Sequence, residues 1–242
     1  MTLSDLIELA RPVGYWMNSN QGVVSGSIFI STLVLGWASG IFGALRRRPK
    51  FKISTLPGPT FSCTYATGAT HNNYEVHRTG IAVYLRIANI GTAASMIEQV
   101  SIGYHWNIKP ISRLWLKYAI GWHWLKNPTV ALSDFQVQIG DNIKFYPFLL
   151  QKSGISGGQA ETFLEPGRSS SGVVYFEQRD SWGGCFPKSH NKEVLLKISV
   201  TDIRGKKHQR KLKIPAVELS EAKKFNPEFG RTLVELHSKS SA

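Results

Sequence analysis

The sequence is poor in cysteine, with only Cys63 and Cys185 among its 242 residues. Two cysteines can form one bridge but not the disulfide framework of a small secreted domain, so we expect two free thiols in a reducing cytoplasm. The sequence also lacks the C-x-x-C and H-E-x-x-H spacings of metal sites, a Walker A loop and a G-x-G-x-x-G loop. We therefore predict no bound metal, no cofactor and no enzymatic activity.

Acidic residues are scarce as well. The chain has 16 Asp and Glu against 29 Lys and Arg, a formal net charge of +13. Such an excess indicates an anionic neighbour, either nucleic acid or an acidic lipid surface. One basic cluster falls near the C-terminus, at Lys206, Lys207, Arg210, Lys211 and Lys213. No stacking aromatics are interleaved with it in the sequence, so an anionic inner leaflet is favoured over nucleic acid as the partner.

Charged side chains are absent from residues 22–45, a run of 24 residues. A helix of that length covers roughly 36 Å, enough for a hydrocarbon core of about 30 Å. The alternative is a buried core helix, but such helices are usually shorter and rarely uncharged on every face. The run predicts one transmembrane helix over residues 22–45, preceded by an extracytoplasmic segment, residues 1–21.

The orientation follows from the basic residues Arg46, Arg47, Arg48 and Lys50, which come directly after this run. Positive charge stays on the cytoplasmic side of a bacterial inner membrane. These four residues are therefore a topology anchor, and we expect the N-terminus outside and the C-terminus in the cytoplasm.

Small residues recur every four positions along the same run, at Thr32, Gly36, Gly40 and Ala44. Small side chains at this spacing let two helices approach closely in lipid, which predicts a homo-oligomer formed through the transmembrane helix. The alternative is that glycine and alanine are simply common in membrane helices.

After the basic residues the pattern changes to alternation. Within residues 80–91, Ile81, Val83, Leu85 and Ile87 fall on one side, which is typical of a half-buried strand. Further strands are predicted at residues 51–55, 60–65, 96–104, 135–139, 143–150, 172–177, 194–201 and 208–214. The last two flank a hairpin loop at residues 202–205. So many short strands predict a mainly β domain, a sandwich or a barrel, over residues 46–215.

The phrase V-x-L-x-I-x-N-x-G, formed by Val83, Leu85, Ile87, Asn89 and Gly91, resembles bacterial immunoglobulin-like and fibronectin-like sandwiches. The sequence L-E-P-G at residues 164–167, ahead of a strand, is similar to theirs too. The two cysteines do not match the spacing of antibody domains. Over about residues 51–215 the resemblance implies an Ig-like β-sandwich, and it implies no particular task.

The sequence also predicts two helical segments. The first is a short helical tail over residues 216–242. Residues 110–127 predict an inserted helix, which either packs on the sandwich or lies among lipid headgroups. In the second case the membrane-surface residues are Arg113, Trp115, Lys117, Trp122 and Lys126.

Two patterns could indicate a nucleophile. Residues 154–158 match G-x-S-x-G, but no helix pattern follows them, which favours a loop. Cys185 has His190 close behind it, yet activation needs a base in space and a lowered thiol pKa, which sequence spacing does not establish. A loop cysteine without a catalytic role is the favoured interpretation.

These features predict a membrane-anchored cytoplasmic module that binds a small-molecule ligand or a protein partner. The long polar loops around residues 71–78 and 180–192 are its candidate docking surfaces. The alternative is a self-associating transmembrane effector of bacterial anti-phage defence, which would perturb the membrane through the small-residue positions.

Overall fold

A computed structural model describes residues 12, 15–40, 47–129, 131, 133–150 and 160–231. The chain divides into two compact units, with the boundary between Arg47 and Arg48. The first unit holds an N-terminal helix, and the second is a mainly β domain.

The first unit contains helix α1, Gln21–Ala38, of 18 residues. It is apolar and long enough to cross a membrane, and none of its side chains is buried in the fold. The described helix ends at Ala38, and Gly40, two residues later, adopts a left-handed φ of 77° while its N–H bonds to the Trp37 carbonyl. A glycine in this conformation is a common helix terminator. Residues 41–46 lie outside the described part of the chain.

The second unit contains twelve described strands and two described helices. The strands are β1 Phe51–Thr55, β2 Phe61–His71, β3 Tyr74–Asn89, β4 Ser95–Tyr104, β5 His123–Leu125, β6 Phe135–Ile139, β7 Asn142–Tyr146, β8 Phe163–Leu164, β9 Ser169–Ser181, β10 Ser189–His190, β11 Glu193–Asp202 and β12 Lys207–Pro215. The helices are α2, Trp115–Ile120, which is wound as a π-helix, and α3, Leu219–Phe225. The prediction of a mainly β domain is confirmed.

The strands form two main sheets and one hairpin. In sheet I, β9 pairs along one edge of β3, while β1 and β2 share the other edge. Sheet II has the order β12-β11-β4-β5, with β8 and β10 as short additions. Strands β6 and β7 form a separate hairpin. All of these strand pairs are antiparallel. Along each strand, successive side chains point to opposite faces of the sheet.

Both sheets contribute to one hydrophobic core, with side chains from β1, β3 and β9 of sheet I and from β4, β11 and β12 of sheet II. A second core lies on the other face of sheet I, around Phe61, Phe135 and Tyr175. Strand β3 is therefore buried on both faces, with Ile81 in the first core and Ala82 in the second. The alternation was predicted correctly, but the prediction of a half-buried strand was wrong, because β6, β7 and α3 supply a second cover.

Asn89 explains why the N-x-G phrase stands at the end of β3. Its buried amide donates to the carbonyls of Ala93 and Leu164 at 2.8 and 2.9 Å, and its side-chain oxygen accepts from the N–H of Gly91. A Cβ on Gly91 would meet the Arg48 carbonyl oxygen and the Lys50 nitrogen at 2.4 Å. This arrangement ties together the start of the domain, the end of β3 and the L-E-P-G turn.

A second buried polar group fixes the β11–β12 hairpin, whose loop lies where it was predicted. Asp202 is fully buried and accepts hydrogen bonds from the N–H groups of Arg204 and Lys206, both at 3.0 Å. His208 accepts from the Phe51 N–H through Nδ1, so its Nε2 donates to Asp202 at 3.1 Å. Burial alone would raise the pKa of Asp202, but these hydrogen bonds outweigh it and lower the pKa.

The helical prediction for residues 110–127 was too long. Helical backbone covers residues 113–120 and is followed by strand β5, which pairs with β4. Gly121 lies between the helix and the strand. A larger residue would not fit there, because its Cβ would lie 2.1 Å from the Lys117 carbonyl oxygen. Strand β5 pairs with the open edge of β4, whose backbone hydrogen-bonding groups a continued helix would leave unpaired.

In the C-terminal tail, the structure describes helix α3, followed by a turn at residues 227–230. The helical prediction for the rest of the tail falls outside the described residues. Among the predicted strands, the one over residues 143–150 is shorter than expected and ends at Tyr146.

Candidate functional site

The tip of the β2–β3 hairpin forms one wall of a cleft. Asn72 and Asn73 both have positive φ, 49° and 63°, which is the backbone of a two-residue turn that asparagine tolerates well. The turn brings His71 opposite Tyr74, and the His71 ring contacts that of Trp182 in a tilted arrangement, with 4.3 Å between the ring centroids. The hairpin thereby reaches the loop that follows β9.

That loop, residues 182–188, is held by backbone hydrogen bonds to His105 and Asn107, which follow β4. The Asn107 N–H donates to the Phe186 carbonyl at 2.9 Å, and the Lys188 N–H donates to the His105 carbonyl at 2.8 Å. A Cβ on Gly184 would lie 2.3 Å from the Asn107 carbonyl oxygen, so this close approach requires glycine. The cleft therefore has fixed walls.

The cleft has a volume of about 600 Å³. It is lined by Tyr74, Glu75, His77, Asn107, Ile108, Lys109, Pro110, Ser112, Leu114, Trp182, Gly183, Gly184 and Cys185. Small-molecule sites typically have this size and this mixture of apolar walls with a few polar groups. The structure thus brings together the two loops nominated from the sequence. The third wall, residues 107–114, was missed because it carries no functional motif.

The titratable groups of the cleft include Glu75, His77 and Cys185. Glu75 and His77 lie 3.6 Å apart, and the Nδ1 atom of His77 contacts the Glu75 carbonyl oxygen. Burial raises the pKa of the Cys185 thiol, which keeps it protonated and unreactive at neutral pH. Within the described part of the chain, no hydrogen bond or ring contact joins Cys185 to His190.

The inserted segment next to this cleft has one docked side and one exposed side. The Tyr118 ring packs on Trp106 at 4.2 Å, and His123 contacts both rings. Four aliphatic side chains point into solvent, at Ile111, Leu114, Leu116 and Ile120. Ile111 is 95% exposed and has a left-handed φ of 71°, an unusual conformation for a β-branched residue.

The predicted membrane-surface residues divide between two places. Arg113 and Lys117 are exposed beside these aliphatic side chains, and Trp115 is half-buried. Trp122 lies elsewhere, on the outer face of sheet II, where the ammonium groups of Lys197 and Lys211 sit 5.7 and 5.6 Å from its ring centroid. Lys126 is exposed near the same face.

The small-residue positions and part of the topology anchor belong to the first unit. Thr32 and Gly36 lie on α1, where the Thr32 hydroxyl donates to the Ile28 carbonyl, and Gly40 follows the described helix with a left-handed φ. Ala44 and Arg46 are outside the described residues. Arg47 is exposed at the end of the first unit, and Arg48 and Lys50 are exposed at the start of the β domain. Oligomerisation and the effector role stay predictions.

The remaining sequence patterns add no catalytic site. The G-x-S-x-G match at residues 154–158 falls in a part of the chain that is not described. Cys63 is a buried free thiol, and burial raises its pKa to about 12. Across the described ranges, no three His, Cys, Asp or Glu side chains gather so that they could hold a metal ion.

Comparison with known proteins assigns the chain to no family. No protein-family profile matches the chain, and no curated protein matches it. A solved structure with some likeness is the X-ray structure of Northeast Structural Genomics Consortium target SoR45, which aligns over 69% of this chain and 85% of its own length. The sequence identity is 8% and the TM-score is 0.25, too low to support any conclusion about fold or function.

Proposed function

We propose that this chain is a single-pass bacterial inner-membrane protein whose cytoplasmic β domain binds a small molecule or a peptide segment in the cleft between residues 71–78, 107–114 and 182–185. The observation that carries this proposal is the cleft itself. It has about 600 Å³ of space, mostly apolar walls and fixed polar groups. We further propose that the domain is an Ig-like sandwich, which is supported by the hydrophobic core common to its two sheets.

Helix α1 supports the membrane part of the proposal. It carries large apolar side chains such as Phe29, Leu35 and Trp37, and none of them is buried within the fold. Eighteen uncharged residues cover about 27 Å, close to the thickness of a hydrocarbon core. Arg47, Arg48 and Lys50 follow on one side only, which favours a cytoplasmic β domain.

The exposed aliphatic side chains of the inserted segment form the proposed contact with the bilayer surface. Ile111, Leu114, Leu116 and Ile120 lie among the cations Lys109, Arg113 and Lys117, with no carboxylate between residues 99 and 133. Apolar groups that enter the interface, flanked by cations that meet anionic headgroups, are typical of such contacts. The strained backbone at Ile111 keeps an apolar side chain pointing outward.

Photo-crosslinking in living cells tests ligand binding at the cleft. In the full chain, p-benzoylphenylalanine replaces either Tyr74, which is 58% exposed in the cleft, or Ile139, which is 57% exposed on the β6–β7 hairpin. We expect one discrete adduct from position 74 and none of the same mass from position 139. An absence of adducts at position 74, or identical adducts at both positions, would contradict the proposal.

Spin labelling tests the bilayer contact independently. A single label is placed at Leu116 or at Ile143 in a full chain whose two cysteines are replaced by serine, and the protein is reconstituted in nanodiscs with anionic lipid. We expect oxygen, which partitions into lipid, to relax the label at position 116 more than a water-soluble nickel complex does. Equal behaviour at the two positions would exclude contact with the bilayer by this segment.

A further inference from the structure

The outer face of sheet II brings together basic and aromatic residues that are far apart in the sequence. The register places Trp124 beside Gly103, Gly103 beside Lys197, and Lys197 beside Lys211. We call this surface the Trp–Lys face and define it by Trp122, Trp124, Lys126, Lys197, Lys207 and Lys211.

Trp124 is placed as a stacking platform. A Cβ on Gly103 would lie 3.1 to 3.2 Å from three atoms of the Trp124 indole, so this ring rests face-on over the glycine. One side of the indole therefore contacts the sheet, and the Trp124 side chain also lines a cleft of about 230 Å³. That volume suits a single ring with its substituents rather than a large cofactor.

The lysines of this face are ordered and mutually repulsive. The Lys197 ammonium lies 5.7 and 5.8 Å from the centroids of Trp122 and Trp124, and the Lys211 ammonium lies 5.6 Å from that of Trp122. Lys197 and Lys211 are direct cross-strand neighbours, an arrangement that destabilises a sheet unless an anion neutralises it. Because the cation–π contacts hold both side chains in place, they lose less conformational freedom when they bind an anion.

Carboxylates do not cancel this charge. The nearby described acids are Glu193, which pairs with Lys213 at 3.5 Å at one end, and Glu98, which borders Lys126 at the other. Between them the cleft beside Trp124 is lined by amides and hydroxyls, those of Gln99, Ser101, Ser199, Thr201 and Gln209. These groups can donate to and accept from the edges of a base or a sugar.

We infer that the Trp–Lys face binds single-stranded nucleic acid, with an unpaired base stacked on Trp124 and phosphates held by Lys197 and Lys211. Stacking platforms combined with a basic surface are the usual means of binding single strands without sequence preference. A bilayer is the less suitable partner, since the Trp124 indole lies flat over Gly103 among polar side chains, whereas the inserted segment carries the exposed aliphatic side chains Ile111, Leu116 and Ile120.

The test uses the full chain in nanodiscs of neutral phosphatidylcholine and a fluorescein-labelled short oligothymidylate, with binding followed by anisotropy. We expect Trp124→Ala to weaken binding by about tenfold and to remove the preference for a single strand over a duplex of the same length. Phe145→Ala, which removes an exposed aromatic ring on the β6–β7 hairpin, outside both this face and the cleft beside residues 71–78, is the matched control and should leave the affinity unchanged.

Salt dependence measures the lysine contribution. Affinity is measured between about 50 and 200 mM salt for the wild type and for the double variant Lys197→Gln and Lys211→Gln. We expect the plot of log affinity against log salt to be less steep for the variant, by about 0.7 for each phosphate that a lysine no longer neutralises. Lys144→Gln is the control, because Lys144 also lies over an aromatic ring, that of Tyr146, but on the β6–β7 hairpin.

Three results would overturn the inference. They are an absence of oligothymidylate binding by the wild-type chain, an affinity that Trp124→Ala leaves unchanged, and a lysine variant that is impaired only in its binding to anionic vesicles. The last result would assign the face to lipid. Each variant is first checked for a wild-type unfolding temperature, so that a folding defect is not counted as a loss of binding.

Discussion

Helix α1 and strand β3 are both rich in apolar side chains, but their surroundings are opposite. Leu85 of β3 is fully buried, whereas Leu35 of α1 is 68% exposed. The fold covers β3 on both faces and covers α1 on none. Under the proposal that α1 spans a bilayer, lipid covers this apolar surface, which a helix permits because it satisfies its own backbone hydrogen bonds. The comparison then separates the apolar residues that stabilise the fold from those that we propose to anchor it.

The largest expected effect comes from charging the helix. Ile30→Lys together with Leu33→Lys places two charges within α1, each costing about 3 kcal/mol near the centre of a membrane span. We expect the full chain to leave the alkaline-washed membrane fraction almost completely. The pair Ile139→Lys and Ile143→Lys, which charges exposed positions of the β6–β7 hairpin, should stay in the membranes. Equal behaviour of the two pairs would remove the distinction between α1 and the β domain.

Truncation of one leucine in each region sharpens the same comparison. Leu85→Ala leaves a cavity in the core shared by the two sheets and should lower the free energy of unfolding by about 3 kcal/mol. Leu35→Ala should leave the unfolding of the β domain unchanged. Denaturant titration in detergent, followed by tryptophan fluorescence, measures both. A destabilisation by Leu35→Ala as large as that by Leu85→Ala would show that α1 belongs to the folded core.

The next largest effect on stability is expected from replacing the buried carboxylate of Asp202. Asp202→Asn removes the charge that accepts hydrogen bonds from His208 and from two backbone N–H groups, and should lower the free energy of unfolding by about 2 kcal/mol at neutral pH. The folded state lowers the pKa of Asp202 below its usual 3.8, so its stabilising contribution is present above that value and is lost as the pH falls through the folded pKa.

The difference in stability between the wild type and Asp202→Asn should therefore shrink as the pH is lowered below 3.8. Unfolding curves at a series of acidic pH values measure it. A difference that stayed constant or grew in acid would contradict the assigned role of Asp202.

The smallest effect concerns an exposed apolar residue inside the β domain. Ile111→Gly relieves a left-handed backbone and should raise the free energy of unfolding by about 0.5 kcal/mol. Ile143→Gly, at an exposed position of strand β7, should lower it by a similar amount. Thermal unfolding of the full chain in detergent compares the two. The same sign for both would indicate that the backbone at Ile111 carries no strain.

The long strands were predictable because their apolar residues alternate in the sequence. Strands β4, β11 and β12 begin and end within one residue of their predicted positions, and the β11–β12 hairpin loop lies where it was predicted, whereas β3 begins at Tyr74, six residues earlier than predicted. The strands β5, β8 and β10, with two or three residues each, are too short to show a period. Burial of β3 on both faces could not be predicted either, since its second cover comes from segments distant in the sequence.

The candidate sites were predictable only in part. The loops around residues 71–78 and 180–192 were identified by length and polarity, and the structure places them at one cleft. The basic residues near the C-terminus were identified as well, but without aromatic neighbours. The register of β4 with β5 and β11 brings Trp122 and Trp124 to Lys197, and such a register depends on tertiary packing rather than on local pattern.

The central claim is that α1 crosses the membrane and leaves the β domain in the cytoplasm. Paired fusions after Ala242 test it most directly, one to green fluorescent protein, which matures in the cytoplasm, and one to alkaline phosphatase, which is active only outside it. We predict that the membrane fraction is fluorescent and that the phosphatase fusion is inactive. An active phosphatase fusion, or a fluorescent fusion found in the soluble fraction, would contradict the claim.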